Sequence, residues 1–332
     1  MSFKLVMLWT DAMIFLLLAV AIAGAWLIRA RPHLLLPWQR LFKSRVGMVS
    51  MLVLSLFVVI GLLDSIHYRA AMPDNGSAHA VYAAEVLSVF DALAGNLRSQ
   101  TEKTYSAPLA VYLYAKESME TPDGKTLRDY PRLKFGGAHL ADPQNEHMSD
   151  VIKRGLSGVF AGWLGGVLLA LLAVSVAAAR SRTTARAWVE ARQHTPLNAM
   201  LATVVLIAML IGLTANLTAY YHVLGTDKVG QDVLYLSLKS IRTGLVIGTV
   251  TTLVMLPFAL FLGIAAGFFR GWVDDVIQYL YTVLSSIPGV LLIAAAVLMM
   301  QVTIEKHAEW FSSSLERADL RLLFLCLILG VT

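Results

Sequence analysis

Six long apolar runs constrain this chain more than any other feature of its sequence. A hydrocarbon core about 30 Å thick is crossed by a helix of about 20 apolar residues, so each run is long enough to span a membrane. The runs occupy residues 12–28, 46–63, 155–179, 197–219, 244–268 and 276–300. A seventh run opens near Leu320 and is too short to span before the sequence stops at Thr332. The pattern predicts an all-α polytopic membrane protein.

Composition supports the same class. Hydrophobic residues make up 57% of the 332 positions and charged residues only 15%, whereas a soluble domain uses roughly one quarter charged residues. The net charge of +5 comes largely from loops beside apolar runs, so it reflects topology and does not indicate nucleic-acid binding. The first run lacks a basic leader and a small-residue cleavage site, and we interpret it as a retained helix, not a signal peptide.

Two basic loops predict the orientation of the chain, because an excess of Lys and Arg marks the cytoplasmic side. The first loop carries Arg29, Arg31, Arg40, Lys43 and Arg45, and the second carries Arg180, Arg182, Arg186 and Arg192 against Glu190 alone. The amino terminus is then predicted to lie outside the cytoplasm. Lys239 and Arg242 fall on the outer side too, against the same tendency.

Hydropathy and charge together divide the chain into four predicted regions. These are two transmembrane helices with a basic loop at 1–63, an outer insertion at 64–154, two further helices at 155–222 and a helical core at 223–332. Within the insertion, residues 82–97 carry an apolar stripe of helical period, and residues 121–124 have the composition of a turn. We expect the insertion to form a small α+β or irregular cap.

Three glycines recur every four residues in the third run, at Gly158, Gly162 and Gly166. In lipid, helices associate through close backbone approach, so this smooth strip predicts a helix–helix contact. The alternative is that these glycines only reflect the frequency of glycine in membrane helices.

A polar motif separates the fourth and fifth runs, and residues 224–233 read Leu-Gly-Thr-Asp-Lys-Val-Gly-Gln-Asp-Val. Gly225 and Gly230 allow sharp turns, and Thr226 or Asp227 can cap a short helix through a side-chain oxygen. Asp232 stands just before a further apolar set. On physical grounds alone, the motif is also compatible with a polar turn that merely enters the next helix.

The motif resembles the periplasmic Leu-Gly-Thr-Asp-x-x-Gly-Arg-Asp-Val segment of the inner-membrane permease subunits of dipeptide and oligopeptide ABC importers. Gln231 stands where that family usually has arginine. Further stretches are similar to the family in the same order: residues 240–248, a cytoplasmic connection with Gly267, Gly271 and Asp274, and a helix start with Ser285, Ser286 and Pro288. Residues 38–63 also resemble the family, whereas the first helix and residues 66–220 look like additions.

The resemblance implies a type I ABC importer-like transmembrane core that forms one half of an alternating-access pathway in the bacterial inner membrane. It also implies partners: a second permease subunit, two ATP-binding subunits that use ATP and Mg, and a periplasmic substrate-binding protein. This chain has no Gly-x-x-x-x-Gly-Lys-Ser/Thr phosphate loop, so we expect it to bind no cofactor and to be no enzyme. The family's ATPase-coupling segment follows the helix that begins near Leu320, so we expect the protein to continue beyond Thr332.

Prolines and acidic residues in the last two runs carry further expectations. Pro257 and Pro288 each remove a backbone donor and predict a kink or a local opening of the helix. We expect Pro288, with Ser285 and Ser286, to line the pathway, although a bend used only in packing is an alternative. Asp274 and its neighbour Asp275 suit the positive end of the following helix as capping residues.

Other classes of protein remain alternatives. A secondary transporter usually holds ionisable residues in the bilayer, and the central parts of these runs have none. In a membrane-anchored periplasmic binding or sensory module, the large outer insertion would carry out the binding or sensing. An enzyme or metal site has the least support, because the eight histidines show no ligand or nucleophile spacing. We interpret His33, His67 and His222 as interfacial or loop residues.

Overall fold

The computed structural model describes residues 3–71, 82–120, 126–181, 196–311 and 313–331, and these are mainly helical. The α-helices are α1 (Trp9–Ala30), α2 (Pro32–Lys43), α3 (Arg45–Asp64), α4 (Val89–Leu93), α5 (Gly95–Ser99), α6 (Pro143–Ser181), α7 (Leu197–Thr218), α8 (Val233–Phe269), α9 (Trp272–Ser286), α10 (Gly289–Lys306) and α11 (Ser314–Val331). An antiparallel sheet joins β1 (Phe3–Val6), β2 (His67–Ala70) and β3 (Leu87–Ser88), and a hairpin joins β4 (Glu117–Glu120) and β5 (Thr126–Asp129).

Six helices among the described residues are long and apolar enough to cross a membrane: α1, α3, α6, α7, α8 and α10. They confirm the prediction of an all-α polytopic membrane protein with small sheets. α6 and α8 extend well beyond the apolar runs, with 39 and 37 residues, or about 55 Å each at 1.5 Å per residue. Each therefore reaches beyond a 30 Å hydrocarbon core by several turns.

The sixth apolar run does not form one helix, and the prediction of a single span over residues 276–300 is wrong. The chain breaks into α9 and α10 at Ile287, whose ψ of 125° is extended, and at Pro288. Proline lacks a backbone N–H and pushes the residue before it out of the helical region, which explains a break at this position. By contrast, α8 continues through Pro257.

The loop that joins the first two spans is itself helical over Pro32–Lys43. A proline at the first helical position suits this start, since its missing N–H would have no helical partner there. Most of the second basic loop, residues 182–195, lies outside the described residues.

The insertion differs from the single helix predicted over residues 82–97, which is wrong. β3 pairs with β2 in this stretch, and α4 starts only at Val89. The Ser88 N–H donates to the Asp91 carboxylate at 3.0 Å, and the Asp91 N–H donates to Ser88 Oγ at 3.0 Å. This reciprocal capping sets the start of the helix. The predicted turn at residues 121–124 lies outside the described residues.

Packing divides the chain into two compact units. One comprises Met1–Ala25, Val58–Ala92 and Ser240–Thr332, with a buried cluster of Val246, Val250 and Cys326. The other comprises Trp26–Phe57 and Leu93–Lys239, with a buried cluster of Val111, Leu140, Leu217 and Tyr221. Each unit is assembled from segments that are distant in sequence, so the four regions divided at 63, 154 and 222 remain a prediction.

Candidate functional site

The motif lies in a loop, residues 219–232, that links α7 to α8 and is called the motif loop. Gly225 and Gly230 adopt φ angles of +77° and +79°, in the left-handed region that favours glycine. A Cβ at Gly230 would meet the Glu102 backbone, whose nitrogen would be 3.0 Å away and whose carbonyl would be closer still. A Cβ at Gly225 would collide with the Ser106 carbonyl. Both positions therefore require glycine for two separate reasons.

Asp227 and Asp232 order the two ends of the motif. The Asp227 carboxylate accepts the N–H groups of Val229 at 2.9 Å and Gln231 at 2.8 Å, closing a turn. The Asp232 carboxylate accepts the N–H groups of Leu234 at 2.8 Å and Tyr235 at 3.2 Å. Asp232 therefore caps α8, and the expectation that Thr226 or Asp227 is the cap is wrong, because the helix begins at Val233.

The insertion supplies a strap, residues 102–106, that closes over the motif loop. Thr226 is buried, and its hydroxyl donates to the Thr104 carbonyl at 2.7 Å. The Glu102 N–H donates to the Gly230 carbonyl at 2.8 Å, and the Thr226 N–H donates to the Ser106 carbonyl at 3.3 Å. Backbone bonds on both sides of Thr226 thus tie the insertion to the start of α8.

A buried ionic trio, Glu102, His222 and Asp232, lies beneath the strap. His222 lies in a loop, which agrees with its interpretation as an interfacial or loop residue, but it is 0% exposed. Its Nδ1 is 2.7 Å from the Asp232 carboxylate, and its Nε2 is 3.4 Å from the Glu102 carboxylate. Glu102 also accepts backbone N–H groups from Lys134 and Phe135 at 2.8 and 2.7 Å. The trio therefore joins three separate segments of one unit.

Electrostatics keep His222 and Glu102 charged at neutral pH. Burial alone would lower the pKa of His222, but interactions with Asp232 and Glu102 outweigh burial and raise that pKa to about 9. Burial alone would raise the pKa of Glu102, but hydrogen bonds from His222 and from the backbone lower it to about 2. An imidazolium that donates from both nitrogens has no free lone pair for a metal or a proton. The arrangement therefore holds the motif loop in place.

The predicted glycine strip lies against α7. A Cβ at Gly158 would be 2.6 Å from the Gly212 carbonyl oxygen, and one at Gly162 would be 2.8 Å from Met209 Cα. A Cβ at Gly166 would be 2.8 Å from Val205 Cα. The backbones of α6 and α7 are therefore too close for any larger side chain at these three positions.

Residues of the other predicted sites belong to the other compact unit. Gly271 has a φ of +58° and lies between α8 and α9, four residues after the exposed Gly267. Asp274 accepts a hydrogen bond from Gln278 at 3.2 Å, and no side-chain capping bond is found at the start of α9. Asp274 and Asp275 thus lie in the first turn of α9, as predicted, but the helix start has no side-chain capping bond. Ser285, Ser286 and Pro288 are exposed at the α9–α10 break, and their place in a pathway stays a prediction.

A second buried ionic cluster escaped the sequence analysis. Arg242 donates to Thr10 Oγ1 at 2.8 Å and to the Asp11 carboxylate at 2.5 Å, and it is 3.8 Å from the Asp319 carboxylate. His67, interpreted from sequence as an interfacial or loop residue, lies in β2 and is buried, with Nδ1 2.8 Å from the Asp11 carboxylate. The positive charge of Arg242 is therefore neutralised locally by Asp11 and Asp319. A sequence feature that indicates this cluster does exist, because the charged residues Asp11, Arg242 and Asp319 lie near the ends of apolar runs.

Comparisons with known proteins match part of the chain. A stretch of 79 residues is 37% identical to the glutathione transport system permease protein GsiD of Pectobacterium atrosepticum, covering 24% of this chain and 26% of that protein. A stretch of 73 residues is 32% identical to the oligopeptide transport system permease protein OppC of Mycobacterium tuberculosis, covering 22% of this chain and 25% of that protein. The chain thus spans about a quarter of the length of the curated relatives that it matches. No family model and no solved structure matches the chain.

Proposed function

Because this chain is related to the permease subunits of peptide ABC importers, we propose that it forms half of a translocation pathway for peptides or similar small solutes. A periplasmic binding protein delivers the solute, and a second permease subunit completes the pathway. Two ATP-binding subunits supply the energy from ATP and Mg. The partial similarity to the two permeases carries this proposal, and the six apolar helices support it.

The motif loop and the insertion are placed on the periplasmic side in this proposal, as the basic loops predict. The strap that ties Glu102 and Thr104 to the motif loop supports a joint role. A binding protein that docks on the insertion would press directly on the start of α8. The insertion then receives the binding protein or covers the pathway entrance.

Co-purification tests the proposal against its main rival, a membrane-anchored periplasmic binding or sensory module. The rival draws its support from the size of the insertion and from the buried cluster around Val111 and Tyr221 in the unit that holds most of it. A permease isolated from native membranes in mild detergent should bring down a second permease and ATP-binding subunits. Isolation without nucleotide-binding subunits would favour the sensory module.

ATP-dependent uptake of labelled peptides by the reconstituted assembly provides the functional measurement. Uptake should stop when the ATP-binding subunits carry an inactivating substitution in their phosphate loop. Peptide uptake that persists under that condition, driven by an ion gradient, would contradict the proposal.

A test of the insertion's role requires a smaller change than deletion of residues 70–150, because that deletion would also remove the strap. Glu117 and Asp129 are directly paired across the β4–β5 hairpin, so residues 118–128 can be replaced by a short Gly-Ser turn. We expect weaker docking of the binding protein and slower uptake, with basal ATP hydrolysis unchanged. Unaltered docking and uptake would remove the hairpin from the proposed receiving surface.

A further inference from the structure

Helix α2 presents an apolar stripe that is largely exposed. None of its 12 residues is buried. The stripe consists of residues at helical spacing, and its members are Leu34, Leu35, Trp38, Leu41 and Phe42. Leu34 and Trp38 are each 43% exposed, and Phe42 is 42% exposed. A free amphipathic helix in water would not leave this stripe uncovered.

Positive charge surrounds the stripe. Arg40 and Lys43 lie on the other side of the helix, while Arg29, Arg31 and Arg45 flank its ends, and all five are exposed. No acidic residue occurs between Asp11 and Asp64 in the sequence. Helix α2 therefore combines an apolar stripe with an opposite face whose charged side chains, Arg40 and Lys43, are both positive, which is the pattern of helices that lie in the membrane interface.

The chain connections hold α2 close to the bilayer at both ends. Arg31 alone separates it from α1, and Ser44 alone separates it from α3, and both residues are extended. The Gly47 N–H donates to Ser44 Oγ at 3.3 Å. Leu41 packs over Gly47, where a Cβ would be 2.6 Å from Leu41 Cδ1. Since α1 and α3 are membrane spans, α2 cannot leave the edge of the hydrocarbon core by more than about one residue.

We propose that α2 lies in the plane of the membrane interface and binds anionic phospholipid. Its apolar stripe enters the acyl chains, and Arg40 and Lys43 with the flanking arginines bind the lipid phosphates. Anionic lipids give the cytoplasmic leaflet a negative potential, and each Lys or Arg near that surface contributes about 1 kcal/mol, or about fivefold in affinity. The leaflet assignment rests on the proposed topology, whereas the interfacial position rests on the chain connections alone.

A matched pair of spin labels tests the interfacial position in the full-length chain. In a Cys326→Ser background, Leu34→Cys and Leu36→Cys place the label two residues apart, or about 200° around the helix. In vesicles of phosphatidylglycerol and phosphatidylcholine, the label at 34 should be accessible to oxygen and the label at 36 to a water-soluble nickel complex. Equal exposure of both labels to water would overturn the proposal and indicate a missing protein partner for the stripe.

Charge removal tests the lipid chemistry. Native mass spectrometry measures the ratio of phosphatidylglycerol to phosphatidylcholine retained by the solubilised chain. Arg40→Gln with Lys43→Gln should lower this ratio at least fivefold, while the control pair, Lys116→Gln with Lys153→Gln, should leave it unchanged. An equal ratio in both double variants would refute anionic lipid binding by α2. Neither measurement uses ATP or a partner subunit, so both are independent of the transport proposal.

Discussion

Gly230→Ala should release the strap from the motif loop. The alanine would have to hold a φ of +79°, which costs a non-glycine residue about 1–2 kcal/mol. Its Cβ would also displace the Glu102 backbone, and overpacking of this kind costs about 1–3 kcal/mol. Loss of the bond from the Glu102 N–H to the Gly230 carbonyl adds about 1 kcal/mol. Together these effects destabilise the closed strap by about 3–6 kcal/mol.

Hydrogen exchange measured by mass spectrometry reports this loss directly. The amides of residues 102–106 should exchange at least a hundredfold faster in Gly230→Ala, since each 1.4 kcal/mol is a factor of ten in the opening equilibrium. Gly244→Ala is the matched control, because no described atom lies within 4 Å of the added Cβ and its backbone is helical. Gly230→Asn separates the two causes, because Asn tolerates a positive φ but still brings a Cβ. Strap exchange in Gly230→Ala within threefold of the unmodified protein would refute the reasoning.

Three further predictions concern the buried contacts. The pKa of His222 is raised to about 9 from its ordinary 6.5, so the stability that its charge contributes is complete below about pH 6.5 and is lost as pH rises through about 9. The melting temperature in detergent should fall across that window in the unmodified protein but not in His222→Gln. A melting temperature of the unmodified protein that does not change with pH would contradict the ionic trio. Gly162→Leu should separate α6 from α7 and lower the melting temperature. Gly165→Leu should not lower it, because no described atom lies near the added Cβ. Equal melting temperatures of the two variants would rule out the close contact. Arg242→Met should destabilise its unit by about 3–5 kcal/mol, because it leaves buried carboxylates unpaired. On heating, a thiol dye should then label the buried Cys326 at a lower temperature than in the unmodified protein. An unchanged labelling temperature would show that the cluster contributes little to stability.

Local patterns were sufficient for the spans but not for their ends. Five of the six apolar runs coincide with spanning helices, because length and hydropathy are properties of neighbouring residues. Helices α6 and α8 begin in polar sequence, where the side chains of Asp142 and Asp232 cap their first turns. The two prolines had the same predicted effect, yet only Pro288 ends a helix. A short-range rule cannot decide between a tolerated proline and a break, because both prolines lack the same backbone donor.

The membrane class, the number of apolar runs, the two required glycines and the resemblance to peptide permeases could all be read from the amino-acid order, since each depends on residues close together in the chain. Tertiary structure alone decided which residue is brought against each motif. One partner of His222, Glu102, lies 120 residues away in the sequence, and one partner of Arg242, Asp11, lies 231 residues away. Buried charges must find opposite charges wherever the fold places them, and no periodicity in the sequence records that distance.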